Sequence, residues 1–149
     1  MSGSAFWPLQ VAVRQRLLAD SALMSKIKGV FDAVPDGQAF PYVTIGDVTS
    51  VPYRTFDGFG EECTITLHIW SRYNGFKEAA EILDHLNRIL ADTVFSVPGW
   101  EMEGCYYEFS ETIRDPDGIT RHIPVRYRVR LQKQTGANSF LTPLQTTEN

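Results

Sequence analysis

Two hydrophobic periods alternate along the chain, and the switches between them mark its elements. From Pro8 to Ala19, "PLQVAVRQRLLA" gathers Leu9, Ala12, Val13, Leu17 and Leu18 on one side, the repeat of about 3.6 residues that marks an amphipathic helix. Pro8 stands in the first turn, where a missing N–H is tolerated. "SALMSKIKG" predicts a short helical continuation that Gly29 closes in the left-handed conformation, and "VFDAV" a brief strand. After "PDGQAFP", a loop by its turn residues, "YVTIGDVTS" alternates Val43 and Ile45 against Tyr42 and Thr44, as a strand does. "VPYRTFDGFGEE" holds Pro, Gly and aromatics without a period, and reads as a long hairpin tip or mobile loop. Its Tyr53, Phe56 and Phe59 either pack locally or form a contact surface.

The clearest pattern is "CTITLHIWSRYNGFKEAAEILDHLNRIL", Cys63 to Leu90. Cys63, Ile65, Leu67 and Ile69 share one strand face, while Thr64, Thr66, His68 and Trp70 share the other. Asn74 is the expected N-cap of the following helix, with Glu78 in its first turn against the positive end of the helix dipole. Ala79, Ile82, Leu83, Leu86, Ile89 and Leu90 then form one apolar stripe opposite Lys77, Glu81, Asp84, His85 and Arg88. A strand and a helix that are each apolar on one side must cover each other or share a core.

The last third predicts a hairpin. Cys105, Tyr107, Phe109 and Ile113 are expected to face the core from one arm, and Ile123, Val125, Tyr127, Val129 and Leu131 from the other. A two-residue loop at "RDPDGI" would set Ile113 against Thr120 and mix the faces. A three-residue loop of Pro116, Asp117 and Gly118 instead pairs Asp115 with Ile119, Phe109 with Val125 and Tyr107 with Tyr127, with Gly at a left-handed bulge. On the reverse face this register sets Glu108 against Arg126 and Tyr106 against Arg128, with Arg130 continuing the row. The plain reading of that row is a solvated face with one cross-strand ion pair worth about 0.2–1 kcal/mol.

Residues 1–133 are therefore expected to form a single α+β domain, its mainly antiparallel sheet carrying two main helices on one face in the order α-β-β-β-α-β-β. Residues 134–149 have no period and are expected to be a tail that is disordered or ordered by a partner. At 149 residues the chain is long enough to bury a core without disulfides or metal.

Chemistry is sparse. Cys63 and Cys105 lie within strand-like runs, outside any C-x-x-C pair, and read as buried thiols rather than redox or metal groups. His68, His85 and His122 sit on different elements without ligand spacing, and no nucleophile motif or phosphate-binding glycine loop is present. Neither an enzyme role nor a cofactor is expected; a small hydrolase with dispersed acids has nothing positive to support it. No apolar run is long enough for a membrane helix, and the start of the chain has no secretory pattern. The net charge of −4 argues against general nucleic-acid affinity. Yet Arg126, Arg128 and Arg130 interleave with Tyr106, His68 and Trp70, as in sheets that bind single-stranded nucleic acid, and that reading stays as the alternative. A mixed aromatic and charged face more naturally meets another protein.

The runs "FPYVTIGDVTSVPYRTFDGFGEECTITLHIWSRYNGFKEAAEILDHLNRIL" and "FSETIRDPDGITRHIPVRYRVRL" resemble the tail-completion or tail-terminator proteins of long-tailed bacteriophages and gene-transfer particles. The resemblance spans Leu9 to Leu131 and rests on "PYV" at Pro41–Val43, "LHIWSR" at Leu67–Arg72, the "GFKEA" helix start and "RDPDGITRH" at Arg114–His122. It implies a structural virion subunit, without catalytic residues, that forms a ring, commonly a hexamer, on the head-proximal end of the tail tube. That ring would end tube growth, join the tail to the head connector or stopper protein, and let the genome pass through its lumen without sequence-specific binding. The implied location is the virion tail, reached from the host cytoplasm during assembly. On this reading Trp70, Tyr53, Phe56, Phe59, Arg126, Arg128 and Arg130 become candidate interface residues. Trp70 either anchors a seam between copies or caps the domain's own core. The arginine row either pairs within the sheet, bridges to a neighbouring subunit or lines the DNA path.

Overall fold

Backbone pairing carries the longest strands further than their side-chain period does. A computed structural model describes residues 4–55 and 58–134. In it β2 (Tyr42–Thr55) and β3 (Gly58–Ser71) run fourteen residues each and stay paired down to Thr55 opposite Gly58. Of the two readings of this stretch, hairpin tip or mobile loop, the described residues 51–55 and 58–60 fit the hairpin, as paired arms of one ladder. Hydrogen-bonded pairing draws on main-chain groups that every residue but proline supplies in full, so an aperiodic sequence can still extend a ladder.

The remaining elements are α1 (Phe6–Leu18), α2 (Ser21–Met24), β1 (Val30–Phe31), α3 (Lys77–Leu90), β4 (Trp100–Ser110), β5 (Ile113–Arg114) and β6 (Arg121–Lys133). The sheet order is β1-β2-β3-β6-β4, with β5 also against β6; β1 pairs with β2 in parallel and the other pairs are antiparallel. This is the expected α+β arrangement, with the expected helical continuation present as the separate four-residue α2 and the two-residue β5 added.

Strand alternation decides the two faces. Cys63, Ile65, Leu67 and Ile69 of β3 and Ile123, Val125, Tyr127, Val129 and Leu131 of β6 are all buried on the helix side, where Ala79, Ile82, Leu86, Ile89 and Leu90 of α3 meet them. Leu83 is only partly buried at the margin of that stripe. Each large apolar side chain withdrawn from water contributes about 1.5–3 kcal/mol, so the layer formed by α3 on β3 and β6 is the main stabilising unit. The Tyr127 hydroxyl, deep in that layer, donates to Asn87 Oδ1 at 2.6 Å, which removes the cost of burying it. Burial also pushes the Tyr127 phenol far above its ordinary range. Leu9, Val13 and Leu17 of α1 are buried as expected, but Leu18 is exposed and Gln10 buried; the buried side of α1 is rotated toward Gln10.

Local stops depart from expectation in three places. The short helix α2 is capped by Asp20, whose carboxylate accepts the Leu23 N–H at 2.9 Å, and Gly29 does not close it in a left-handed conformation; instead the Phe31 ring lies over the space a side chain at Gly29 would fill. Helix α3 starts after Phe76 with no side-chain cap, so Asn74 is not its N-cap. Glu78 in its first turn instead accepts a hydrogen bond from Ser71 Oγ at 2.7 Å and fastens the helix to the end of β3. The turn before β6 holds four residues between Asp115 and Thr120, whose backbones pair at 3.0 Å, so Asp115 does not face Ile119. The expected pairing of Tyr107 with Tyr127 and of Tyr106 with Arg128 is present, and a bulge at Glu108 then shifts the register to Phe109 opposite Arg126. One extra residue in β4 absorbs the longer turn.

Candidate assembly surface

The face of the sheet away from the helices is polar and aromatic, and no helix among the described residues covers it. Three arginines, two residues apart on β6, point the same way because strand side chains alternate. Carboxylates from both neighbouring strands answer them. Arg126 meets Glu108 at 3.2 Å; Arg128 meets Glu62 at 2.8 Å and also Glu108; Arg130 meets Glu62 at 3.4 Å and Glu103 at 3.3 Å. The Arg128 guanidinium beside Glu108 holds that carboxyl below its usual range, and Arg128 itself is raised by Glu108 first and Glu62 next. Aromatic rings flank the lattice: Arg130 lies 4.5 Å from the Tyr53 ring centre and Arg126 5.0 Å from that of Phe109. Of the three sequence readings of the row, pairing within the subunit is what the geometry contains, and it is wider than the single Glu108 pair expected. Every guanidinium already faces a carboxylate, which leaves little net charge for a phosphate backbone and weighs against a single-stranded nucleic-acid platform.

The aromatic candidates separate. Tyr53 stands on the open face, packed over Gly60, with its hydroxyl donating to Glu103 Oε2 at 3.2 Å; burial, then the Glu103 charge, raises its phenol above the ordinary value. Phe59 lies on the opposite face, half-buried against the core with its ring 6.4 Å from that of Trp100. Phe56 lies outside the described residues. Trp70 is also on the open face, so it does not cap the core beneath α3. Its ring stacks on His122 at 3.9 Å and 9°, and its indole N–H donates to Thr44 Oγ1 at 3.1 Å.

Three residues expected in the core lie outside it: Ile113, opposite His122, is half-buried on the open face, and Phe109 and Tyr107 are exposed. The bulge at Glu108 turns Phe109 to the open face, and Tyr107, still on the helix side opposite Tyr127, lies out on the edge strand with half its ring in solvent. Along β4 the outer edge is met at Cys105 by Thr93; from Tyr106 to Ser110 no further strand among the described residues pairs with it. Alternation alone could not reveal this, because an edge strand outside the helix cover keeps the same apolar pattern as a buried one.

Among the described residues, no group of three or more His, Cys, Asp or Glu is placed to hold a metal, and no helix is long and apolar enough to cross a membrane. A groove of about 460 Å³ between α1 and α3 has its charged groups already engaged: Arg16 Nε donates to the Ile89 carbonyl at 2.9 Å, and Arg88 forms a double hydrogen bond with Asp20.

Comparison with known proteins agrees with this picture of a subunit that offers surface rather than a catalytic cleft. The family described as "Tail completion protein gp17" matches residues 11–132. The tail completion protein gp17 of Bacillus phage SPP1 is 30% identical over 126 residues, 81% of this chain and 91% of the phage protein. Among solved structures, a chain from the virion of a native gene transfer agent particle superposes with a TM-score of 0.80 at 25% identity, covering 88% of this chain and 99% of that one. The structure of bacteriophage SPP1 gp17 superposes with a TM-score of 0.56 at 25% identity, over 91% and 98% of the two chains. The chain therefore belongs to the tail completion protein gp17 family, structural proteins of the virion tail and not enzymes.

Proposed function

We propose that this protein works as one subunit of a ring, six copies in the reading the resemblance implies, that caps the head-proximal end of the tail tube, ends tube polymerisation and joins the tail to the head connector. The genome would pass through the lumen without sequence-specific contacts. The observation that carries this reading is the outer end of β4, where Tyr106, Tyr107 and Phe109 are 44%, 44% and 40% exposed on a strand edge free of proline and lysine. Exposed aromatic edge strands invite pairing with another chain, and a closed ring uses two unlike surfaces of each subunit, one against the next. The opposite side of the sheet is unlike it: β2 carries Pro52, a bulge between Ile45 and Val48, and the short parallel β1.

Within this reading Tyr53 and the arginine row brace the open face, and Trp70 holds the strand end, so their contribution to a seam is to keep a shape. Residues 135–149, read from the sequence as part of a tail that is disordered or ordered by a partner, lie outside the described residues. Sedimentation of purified protein, alone and mixed with tail tubes, tests the proposal. Binding that saturates at a fixed number of copies per tube, whatever the tube length, is expected. Binding that grows with tube length, or none, would overturn it.

A further inference from the structure

Three strands of the open face converge on a stack of rings. Trp70 of β3 lies flat on His122 of β6, and His122 Nε2 is 2.7 Å from Nδ1 of His68, back on β3. The His68 ring in turn fills the space over Gly46 of β2, where a side chain would approach its Nε2 to 2.6 Å. The indole N–H of Trp70 reaches Thr44 of the same strand. Both imidazoles are half-buried. The charged groups that act on them are Asp47 of β2 on His68, and Glu111 and Asp115, from the segments flanking β5, on His122.

A nitrogen pair at 2.7 Å requires one ring to donate and the other to accept. We propose that His68 and His122 form a two-step acid latch, which keeps its bond on taking up a first proton and opens on taking up a second. In the neutral pair an N–H of one ring points into the lone pair of the other. The first proton is accommodated at an outer nitrogen and leaves an imidazolium donating to an imidazole, a charge-assisted bond. The second makes both facing nitrogens donors and sets two cations side by side, so the rings part. His122 then leaves the Trp70 face, and the tie that holds β2, β3 and β6 together at this end of the sheet loosens.

Burial lowers both histidines below their ordinary value of 6.5, and His122 is lowered further by the charge of His68; Asp47, Glu111 and Asp115 oppose this without reversing it. Interacting sites titrate as a pair rather than one by one. The latch belongs to the subunit itself and does not depend on ring assembly.

Nitrogen-15 NMR of the histidine rings in the full chain, with the Trp70 indole N–H followed in parallel, tests it. Two macroscopic steps are expected, both below 6.5, as for a coupled pair, with the Trp70 signal moving in the second. His68→Gln should merge them into one step on His122 and decouple Trp70 from pH; His122→Asn provides the reciprocal check on His68. Two overlapping steps at the ordinary value, or a Trp70 signal that ignores both, would overturn the proposal on the unmodified chain alone, whether or not either variant folds.

Discussion

The carboxylate of Glu61, on β3, accepts the backbone N–H of Ala5 at 3.1 Å, so a hairpin residue caps the start of α1 from across the fold. The same oxygen accepts the Ser50 hydroxyl at 2.6 Å, and Glu61 is only 5% exposed. No residue at the N-cap position itself could do this, since Ala5 has no side-chain acceptor. Removing a buried acceptor leaves its donors unsatisfied at a cost of about 1–3 kcal/mol. Glu61→Ala should therefore lower the denaturant midpoint clearly, and Glu61→Gln, which keeps one acceptor, should lower it less. Equal midpoints for all three proteins would show that the cap is not a stabilising contact.

Asp20 links α2 to α3. Its two oxygens each accept from Arg88 at 2.9 Å while it caps Leu23, and Arg88 first, then the Leu23 N–H, holds its carboxyl well below the ordinary 3.8. A carboxylate lowered in the folded state contributes stability that is complete above its unfolded value and is lost as the pH falls below it. Between pH 4 and 2 the native protein should lose stability more steeply than Arg88→Met, and the difference should shrink in high salt because Arg88 is half exposed. Parallel curves would contradict the linkage.

Gly118 takes a φ of +74° in the turn before β6, with no atom close to where a side chain would sit. Its replacement by alanine thus tests backbone conformation alone and should cost about 1 kcal/mol, with Gly118→Asn costing less. Asp117, next to it, accepts from the Ile119 and Thr120 N–H groups at 2.8 Å each and from Thr120 Oγ1. These bonds, those of Thr120 foremost, lower its carboxyl to about 2. Asp117→Ala should loosen the turn, seen as faster amide exchange at Thr120, while the β3–β6 pairs far from the turn stay protected.

Cys63 and Cys105 lie at 0% and 1% exposure, and burial pushes their thiols up to about 11 and about 12. Because the thiolate is the reactive form, neither should react with a disulfide reagent in the folded protein at pH 8, and both should react at once in denaturant. Stoichiometric labelling of the native chain would place a thiol outside the core.

The buried faces of β3, β6 and α3 were legible because each has one wet side, and a strict period survives only where water and core alternate. The pairing of Tyr107 with Tyr127 followed from the same parity. What escaped it was set by the main chain. The bulge at Glu108 moves Phe109 to the open face, and main-chain pairing carries β2 and β3 through residues that have no period. The reach of α3 determines that Tyr107 stays wet, and no local pattern encodes that reach. Among the candidate surface residues, the arginine row, Trp70 and the Glu108 pair were found by alternation and hairpin parity, but Glu62 and the Trp70–His122 stack come from strands brought together only by the sheet order.

The central claim, that this protein completes a virion tail by presenting shaped surface, is tested most directly by electron microscopy of particles assembled without it. Tails of irregular length, or tails unattached to heads, are predicted, with full recovery when the chain is supplied in trans. Tails of normal length joined to filled heads in its absence would contradict the claim.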